Sequence, residues 1–598
     1  MEWCRRHPGW AVFAAAMGVR LLYLFEIEGS PLFSHPVVDA ETYAHQAAEL
    51  AAGNWLGRGE GPFWQPPLYP YFLGVVKTLF PQAFWYAARL IQGALGALSC
   101  ALVVGLGRRF FTPGIGLAAG LAAALYGPLI FYDGELLPAT LVICLNLLAL
   151  GLLARGGGRW HWLGTGVVLG LAGLAAAQSL VFAAVAAGWS YQQGWKQGRA
   201  LALERAGLLA LGVVLVLAPV SLRNYLIGGD AVLISYNGGV NFYLGNNPEY
   251  ERTVNVRPGW EWDDLVGMPL EAGITQPSQK AAFFYAKSWE YIHGQPFDYL
   301  GLLARKAWTF WQGDELGRNQ DIYYWRKYSV LLRGLLWKVG LAFPFGVVAP
   351  LALLGLGLTL RRREAMLPLL FVAAHFAVVI AFFVADRYRL PAVPVLLLFA
   401  AQGAWWLWGN RRRRQGGLVL AGVTLLFLLC NWGLPPMQMG GDAAIHYNLG
   451  KAYAQEQRAP EARAEYAEAV RLDSTYWQAW LNLGSMEGVA GRMAEAAGIF
   501  ERVARARPGQ LEAWMNLAHA RLALQQGQAA EKAYAEALKL PSPHRPQIYL
   551  ELMGLHLQAG EFSQAGEVMA QAQRDYPQDA ARIRQVYEQM KARILGGK

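Results

Sequence analysis

Residues 36–72 read PVVDAETYAHQAAELAAGNWLGRGEGPFWQPPLYPYF, and this stretch decides how the first two thirds of the chain are read. It follows a hydrophobic segment and opens with an acid, Asp39. From there the apolar residues Ala40, Tyr43, Ala44, Ala47, Ala48 and Ala51 recur at helical spacing, while Glu41, Thr42, His45, Gln46 and Glu49 take the other face. A short amphipathic helix of this kind lies in a membrane interface. Gly53 to Pro67 is then a loop of Gly, Trp and Pro, and helix plus loop form a lid that holds Asp39 at the boundary of lipid and water. A carboxylate there can do proton chemistry; the plainer reading is an N-cap, and the two roles are compatible.

Outward from this stretch, composition sets the class. With 55% hydrophobic and 16% charged residues in 598, the chain is a polytopic membrane protein with room for a separate soluble domain. It is not a nucleic-acid binder: residues 442–598 hold 18 basic and 18 acidic residues, so the excess, 34 against 24, belongs to the membrane part. There it gathers at Arg5–Arg6, Arg108–Arg109, Arg155 and Arg159, Lys196 to Arg205, Arg361 to Arg363 and Arg411 to Arg414, which is a topology signal. Cys4, Cys100, Cys144 and Cys430 offer neither a disulfide framework nor metal-ligand spacing.

Hydrophobic segments run at 10–28, 83–107, 114–132, 136–154, 160–177, 178–191, 206–222, 335–360, 365–385, 390–409 and 417–434. The first is expected to be an uncleaved span. Residues 67–80 are too short for the ~20 that a span needs and read as an interfacial or half-inserted helix. Eleven crossings with a cytoplasmic N-terminus put every basic cluster inside. They put Asp39, Asp133 with Glu135, loops 29–82 and 223–334, the turn Asp386-Arg387-Tyr388-Arg389 and the C-terminal domain outside. Arg20 and Arg89 fall within spans, where a cation is costly, so each is expected to face the bundle interior against a nearby acid. Arg89 has snorkelling as its alternative.

The outer loop reads AVLISYNGGVNFYLGNNPEY over 231–250. Two β-like runs flank Asn237-Gly238-Gly239, a hairpin signal. The functional alternative has Asn241, Asn246 and Asn247 bonding sugar hydroxyls and Tyr243 offering a stacking face. Arg305-Lys306-Ala307-Trp308, Asn319-Gln320-Asp321, Arg326 and Lys327 make a second polar and aromatic cluster, or an interface belt. Arg387 and Arg389 stand directly before a span on the outer side, against the usual charge bias, and suit a phosphate.

After Pro435-Pro436 a 34-residue register appears: Asn448-Leu449-Gly450, Asn482-Leu483-Gly484, Asn516-Leu517-Ala518. With those small residues at position 8, position 20 is Ala462, Ala496 and Ala530, and position 24 is Tyr466, Phe500 and Tyr534, the tetratricopeptide pattern. Residues 547–577 read as a fourth, degenerate copy, and a last helix caps the stack. The domains are therefore 1–434 in the membrane, a linker at 435–441, and a tetratricopeptide α-solenoid at 442–598. The solenoid should sit close over the outer face where Asp39 opens.

Several short motifs follow one another in order. They are Asp39 after the first span; Gln65-Pro66-Pro67-Leu68-Tyr69-Pro70; Tyr126-Gly127-Pro128 with Tyr132-Asp133-Gly134-Glu135; Arg223-Asn224; Asn237-Gly238-Gly239; Gly245-Asn246-Asn247-Pro248; and Arg387-Tyr388-Arg389-Leu390-Pro391. In this order, over residues 10–410, they resemble the GT-C glycosyltransferases. More narrowly the chain resembles bacterial members of the dolichyl-phosphate-mannose protein mannosyltransferase superfamily that carry tetratricopeptide repeats. The resemblance implies an all-α polytopic fold with a mostly helical outer loop, in a bacterial inner membrane. It implies a polyprenyl-phosphate-linked sugar as donor, a protein or an envelope glycan or lipid as acceptor, and Asp39 as catalytic base in a single displacement with inversion. Arg223, Arg387, Arg389 and Lys306 would then meet the donor phosphate, and Tyr43, Gln65, Tyr69, Glu135, Asn241, Tyr243 and Asn246 the sugar or acceptor. Two positions depart from the family: some branches have Lys where Gln65 stands, and many have Arg near Gln178-Ser179. No cofactor or metal is expected. A divalent cation near Asp39, Glu41 and His45 is the alternative, although residues two apart do not share a helix face. A lipid or sugar transporter, or a membrane-anchored repeat scaffold that holds a protein partner, are the competing functions.

Overall fold

The computed structural model describes residues 7–318, 321–410, 414–434 and 442–596. The clusters Arg5–Arg6 and Arg411–Arg413, the pair Asn319-Gln320 and the linker 435–441 lie outside the described residues. The chain divides into two units, Met1–Gly441 and Asp442–Lys598.

In the first unit each apolar segment predicted above carries a helix, although 335–360 is helical only from Phe345 and 114–132 is broken in two. Five are long and apolar enough to cross a membrane: Pro8–Ile27, Phe84–Phe110, Arg199–Leu226, Arg363–Ala381 and Asp386–Asn410. A sixth is made if Pro113–Ala124 and Gly127–Gly134, bent by 52°, count as one span. The other predicted segments form helices of 15 to 17 residues, such as Ala139–Arg155, Arg159–Ala175 and Phe345–Thr359. At 1.5 Å per residue these reach about 25 Å, short of a hydrocarbon core of about 30 Å. The count of eleven therefore exceeds what length and composition carry.

Helices pack where small residues let backbones meet. A Cβ on Gly166 would collide with the carbonyl of Leu209, and one on Gly212 with that of Leu163, so Arg159–Ala175 and Arg199–Leu226 lie in backbone contact. The amphipathic helix is Asp39–Ala51, with Ala40, Tyr43, Ala47 and Leu50 buried. It sits on Leu68–Leu79, the half-length helix foreseen at 67–80, with the Tyr43 ring edge-on to Tyr69 at 5.0 Å.

The hairpin expected around Asn237-Gly238-Gly239 is instead the start of a helix, Gly238–Gly245. The reason is packing. Gly239, against the Ala281 backbone, and Phe242, against Tyr285 and Trp289, lie three residues apart and both face the helix Pro277–Gly294, a spacing that period-two alternation does not satisfy. Trp337–Lys338 and Ala342–Phe343 form the single strand pair among the described residues.

The second unit is four helix pairs from Ala443–Gln455 to Phe562–Asp575 and a final helix, Ala580–Gly596. Its register has a steric cause: a Cβ on Gly450 or Gly484 would strike Tyr466 or Phe500, the aromatic of the paired helix. Ala462, Ala496 and Ala530 are fully buried, as are Tyr466, Phe500 and Tyr534 to within 5%.

Candidate functional site

Asp39 owes its position to the residue before it. Val38 has φ 56° and ψ −126°, a left-handed backbone that a β-branched side chain rarely adopts and that costs about 1–3 kcal/mol. That turn swings the chain into the helix, and Val38 rather than Asp39 occupies the capping position, its carbonyl accepting from Thr42 N at 3.1 Å. The N-cap role is corrected accordingly: Asp39 is the first helical residue, and its carboxylate faces another segment. One oxygen accepts from an Arg387 guanidinium nitrogen at 2.6 Å, across 348 residues, and the other from Gln65 Nε2 at 3.3 Å. The side chains are 25% and 16% exposed, so the pair is shielded but reachable.

Around this pair several buried polar atoms lack a partner among the described residues: Arg387 Nε, one terminal nitrogen of Arg318, Gln65 Oε1 and one oxygen of Asp386. Each such atom is costly unless a ligand or water meets it. Arg387 is held from behind, donating to Tyr388 Oη at 2.9 Å, while its backbone N–H donates to Asp386 at 2.6 Å. The other donor to that Asp386 oxygen is Tyr132 Oη at 2.8 Å. Arg318 lies over the Phe383 ring at 4.5 Å. Burial, reinforced by the like charge of Arg387, holds its guanidinium below the ordinary arginine value. Arg318, Tyr388 and Asp386 are not among the ligand contacts expected from the sequence; the last two adjoin Arg387, and Arg318 adjoins the Asn319-Gln320-Asp321 cluster.

Of the other expected contacts, Tyr43, Tyr69 and Glu135 stand behind the pair. Burial pushes both tyrosine hydroxyls well above their ordinary value. Tyr69 Oη donates to Gln92 Oε1 at 2.6 Å, and Gln92 Nε2 donates to the carbonyls of Asp133 and Glu135 at 3.1 and 2.7 Å. Gln92, buried in an apolar helix, ties the two predicted segments together. Arg20 pairs with Asp133 at 2.7 Å, the nearby acid expected for it. Arg89 donates to the carbonyls of Gly134 and Trp85, at 2.7 and 3.1 Å, and lies over Phe33.

The remaining cations are engaged with protein. Arg223 donates to the carbonyls of Leu56, Gly57 and Gly61 at 2.9, 2.7 and 2.6 Å, and lies over Phe63 at 4.2 Å. It therefore clamps the Gly-rich lid, and Gly57 is required there because a Cβ would collide with the guanidinium. Arg389, 2% exposed, donates to the carbonyls of Phe310, Gln312 and Asp314 and to Glu315 at 2.6 Å. Lys306 is fully buried; its Nζ donates to Gly245 O, Asn246 Oδ1 and Phe382 O at 3.0, 3.0 and 2.9 Å. Burial pushes its ammonium down to about 7, while three acceptors suit the three donors of the charged form. Asn246 is thus a partner of Lys306. Asn241 Nδ2 donates to Asn237 O at 3.0 Å, and Tyr243 packs on Phe284. Around Asp39, among the described residues, the buried guanidinium nitrogens left without a protein partner belong to Arg387 and Arg318.

Two tetratricopeptide-repeat family models match the chain. They cover residues 447–510 and 522–590. The tetratricopeptide repeats therefore occupy the second unit. No curated protein matches. Among solved structures, residues 41 to the end of MamA from Desulfovibrio magneticus RS-1 are 16% identical, over 29% of this chain and 91% of that one, with a TM-score of 0.21. An Archaeoglobus fulgidus oligosaccharyltransferase tethered to an acceptor peptide is 13% identical, over 78% of this chain and 59% of that one, with a TM-score of 0.40. The hetero-tetramer Cut9-Hcn1 is 13% identical, over 95% and 98%, with a TM-score of 0.22.

Chemically, the Asp39 basin combines the Asp39 carboxylate, with that of Asp386 behind Arg387, and two guanidinium groups that each keep a nitrogen without a protein partner. Such a set accepts a proton on one side and neutralises an oxyanion on the other. Among the described residues no cluster of three or more His, Cys, Asp or Glu is arranged to hold a metal.

Proposed function

We propose that the chain is a membrane glycosyltransferase that moves a sugar from a polyprenyl-phosphate-linked donor to an extracytoplasmic acceptor, a protein, in a bacterial inner membrane. The observation that carries this reading is the Asp39–Arg387 pair beside the unspent donors of Arg387 and Arg318. An acceptor hydroxyl oxygen attacks the anomeric carbon from the face opposite the phosphate. Its proton passes to Asp39, the bond from the anomeric carbon to the phosphate oxygen breaks, and polyprenyl phosphate leaves. No protein acid is needed, since the leaving charge is met by Arg387 and Arg318. Arg223, Arg389 and Lys306 act at one remove, by holding the lid and the turns around the basin. Gln65 keeps Asp39 oriented and has Oε1 for a sugar hydroxyl. The tetratricopeptide repeats bind a protein partner.

Asp39→Asn should fold and bind donor but lose transfer by roughly 10²- to 10⁴-fold, the usual worth of a positioned base. Transfer is read as radiolabelled hexose passing from its polyprenyl phosphate to envelope protein. Near-normal turnover in Asp39→Asn would remove the base from the mechanism.

A further inference from the structure

A second concave site lies beside the basin. The turn at Asn247–Glu249, the short helix Tyr250–Val254 and the helices Pro277–Gly294 and Pro296–Trp311 line a groove of about 620 Å³, the size of a small-ligand site. Two aromatic side chains line it, Tyr250 and Tyr291. Its charged rim is largely self-neutralised: Arg305 contacts Glu251, and Arg252 pairs with Glu249 at 2.8 Å. Asp298, in the first turn of Pro296–Trp311, adds one more carboxylate. The turn is rigid before any ligand arrives. Buried Asn247 donates to Tyr243 O at 2.6 Å and Thr253 Oγ1 at 2.8 Å, and accepts from Glu249 N at 2.7 Å.

We infer that this groove is a carbohydrate subsite that takes a neutral glycan chain already carried by the protein acceptor; the inference rests on the transferase reading above. Three properties select the ligand. The Tyr291 ring can stack on the C–H face of a sugar, whereas the Tyr250 ring carries the Arg305 guanidinium at 5.3 Å and backs the groove. Adjacent carboxylates and guanidinium groups give a hydroxyl, which both donates and accepts, two partners at once. An anion would instead meet three carboxylates against two guanidinium groups. An extended peptide would need backbone partners, whereas helices line most of the groove and satisfy their own main chain. The groove also belongs to the reaction centre's surroundings. Tyr250 and Tyr388 pack on one cluster around Phe383, and Arg318 lies within electrostatic reach of Tyr250, Asp39 and Arg387.

The test titrates the full-length protein in detergent with maltohexaose, cellohexaose, mannohexaose and chitohexaose, and with a Gly-Ser-Thr hexapeptide, by calorimetry. At least one hexasaccharide should bind saturably. Tyr291→Ala should weaken it by roughly tenfold, the worth of a stacked ring, while Tyr291→Phe, which keeps the ring, stays close to wild type. Asp298→Asn should weaken it less, and donor hydrolysis should be unchanged in all three. Failure of every hexasaccharide to bind, binding indifferent to Tyr291→Ala, or saturable binding of the hexapeptide alone would overturn the subsite. Asp39→Asn separates the two readings: retained transfer with sugar binding still lost in Tyr291→Ala would reject the base and leave the groove standing.

Discussion

In the repeat unit Arg463 and Arg521 reach their acids, Glu487 and Glu501, across 24 and 20 residues. In the membrane unit Arg389, Arg20 and Arg387 reach Glu315, Asp133 and Asp39 across 74, 113 and 348. The first set follows from a 34-residue period, because neighbouring repeats supply the partners. The second depends on how helices far apart in the chain come to lie side by side. Environment differs as well. Arg463 and Arg521 stay 48% and 26% exposed, although Glu487 is only 5% exposed, whereas Arg389 and Glu315 are 2% and 3% exposed. Short-range pairs at the surface can be exchanged cheaply, while long-range pairs in the interior leave a stranded charge when broken.

The largest effect should come from that interior. Arg389→Ala or Glu315→Ala, each leaving one charge buried alone, should cost about 3–5 kcal/mol and lower the detergent melting temperature sharply. The double variant Arg389→Met with Glu315→Leu should recover most of the loss. Equal loss in single and double variants would mean that shape, not charge, governs the site.

Arg387→Ala should come next, because it removes the group that faces both Asp39 and the proposed phosphate. Donor kcat/KM should fall by roughly 10²- to 10³-fold, and Arg318→Ala should lower it by roughly tenfold. Acceptor KM should hardly move in either. A defect confined to the acceptor would turn the basin around.

The smallest effect should lie in the repeats. Burial disfavours the Glu487 charge, but the hydrogen bonds from Arg463 and Arg492 outweigh it and hold the carboxylate below its ordinary value of 4.5. Glu487→Gln should cost about 1–2 kcal/mol at neutral pH. A group whose folded pKa is depressed stabilises above its unfolded value and loses that contribution as pH falls through the folded one. The gap between wild type and Glu487→Gln in chemical denaturation should therefore be complete above pH 4.5 and close below it. A gap that widens on acidification would contradict the assignment.

The same contrast explains what the sequence reveals. Apolar runs and the Gly450, Gly484, Ala518 register are local, so helices and repeats can be read from them directly. Asp39 and Arg387 stand out as polar residues beside spans, yet nothing along the chain says that they meet. Arg223, Arg389 and Lys306 carry the same donors as a phosphate ligand. Whether those donors face a ligand or main-chain carbonyls is decided by tertiary packing. Asn246, read as a sugar contact, illustrates the point by accepting from Lys306. Arg318, between a glycine and an asparagine in an aperiodic loop, carries no local signature at all.

The clamp on the lid has one further consequence. The Arg223 guanidinium is a rigid plane, and the oxygens of Leu56, Gly57 and Gly61 each meet a different one of its three nitrogens. Exposed loop tips usually drift in length without penalty. Here an added or missing residue between 57 and 61 would draw the Gly61 carbonyl away from its nitrogen and leave that nitrogen only Asn224 Oδ1 at 3.3 Å, so the guanidinium works as a ruler that disfavours insertions and deletions in the segment as well as substitution of Gly57.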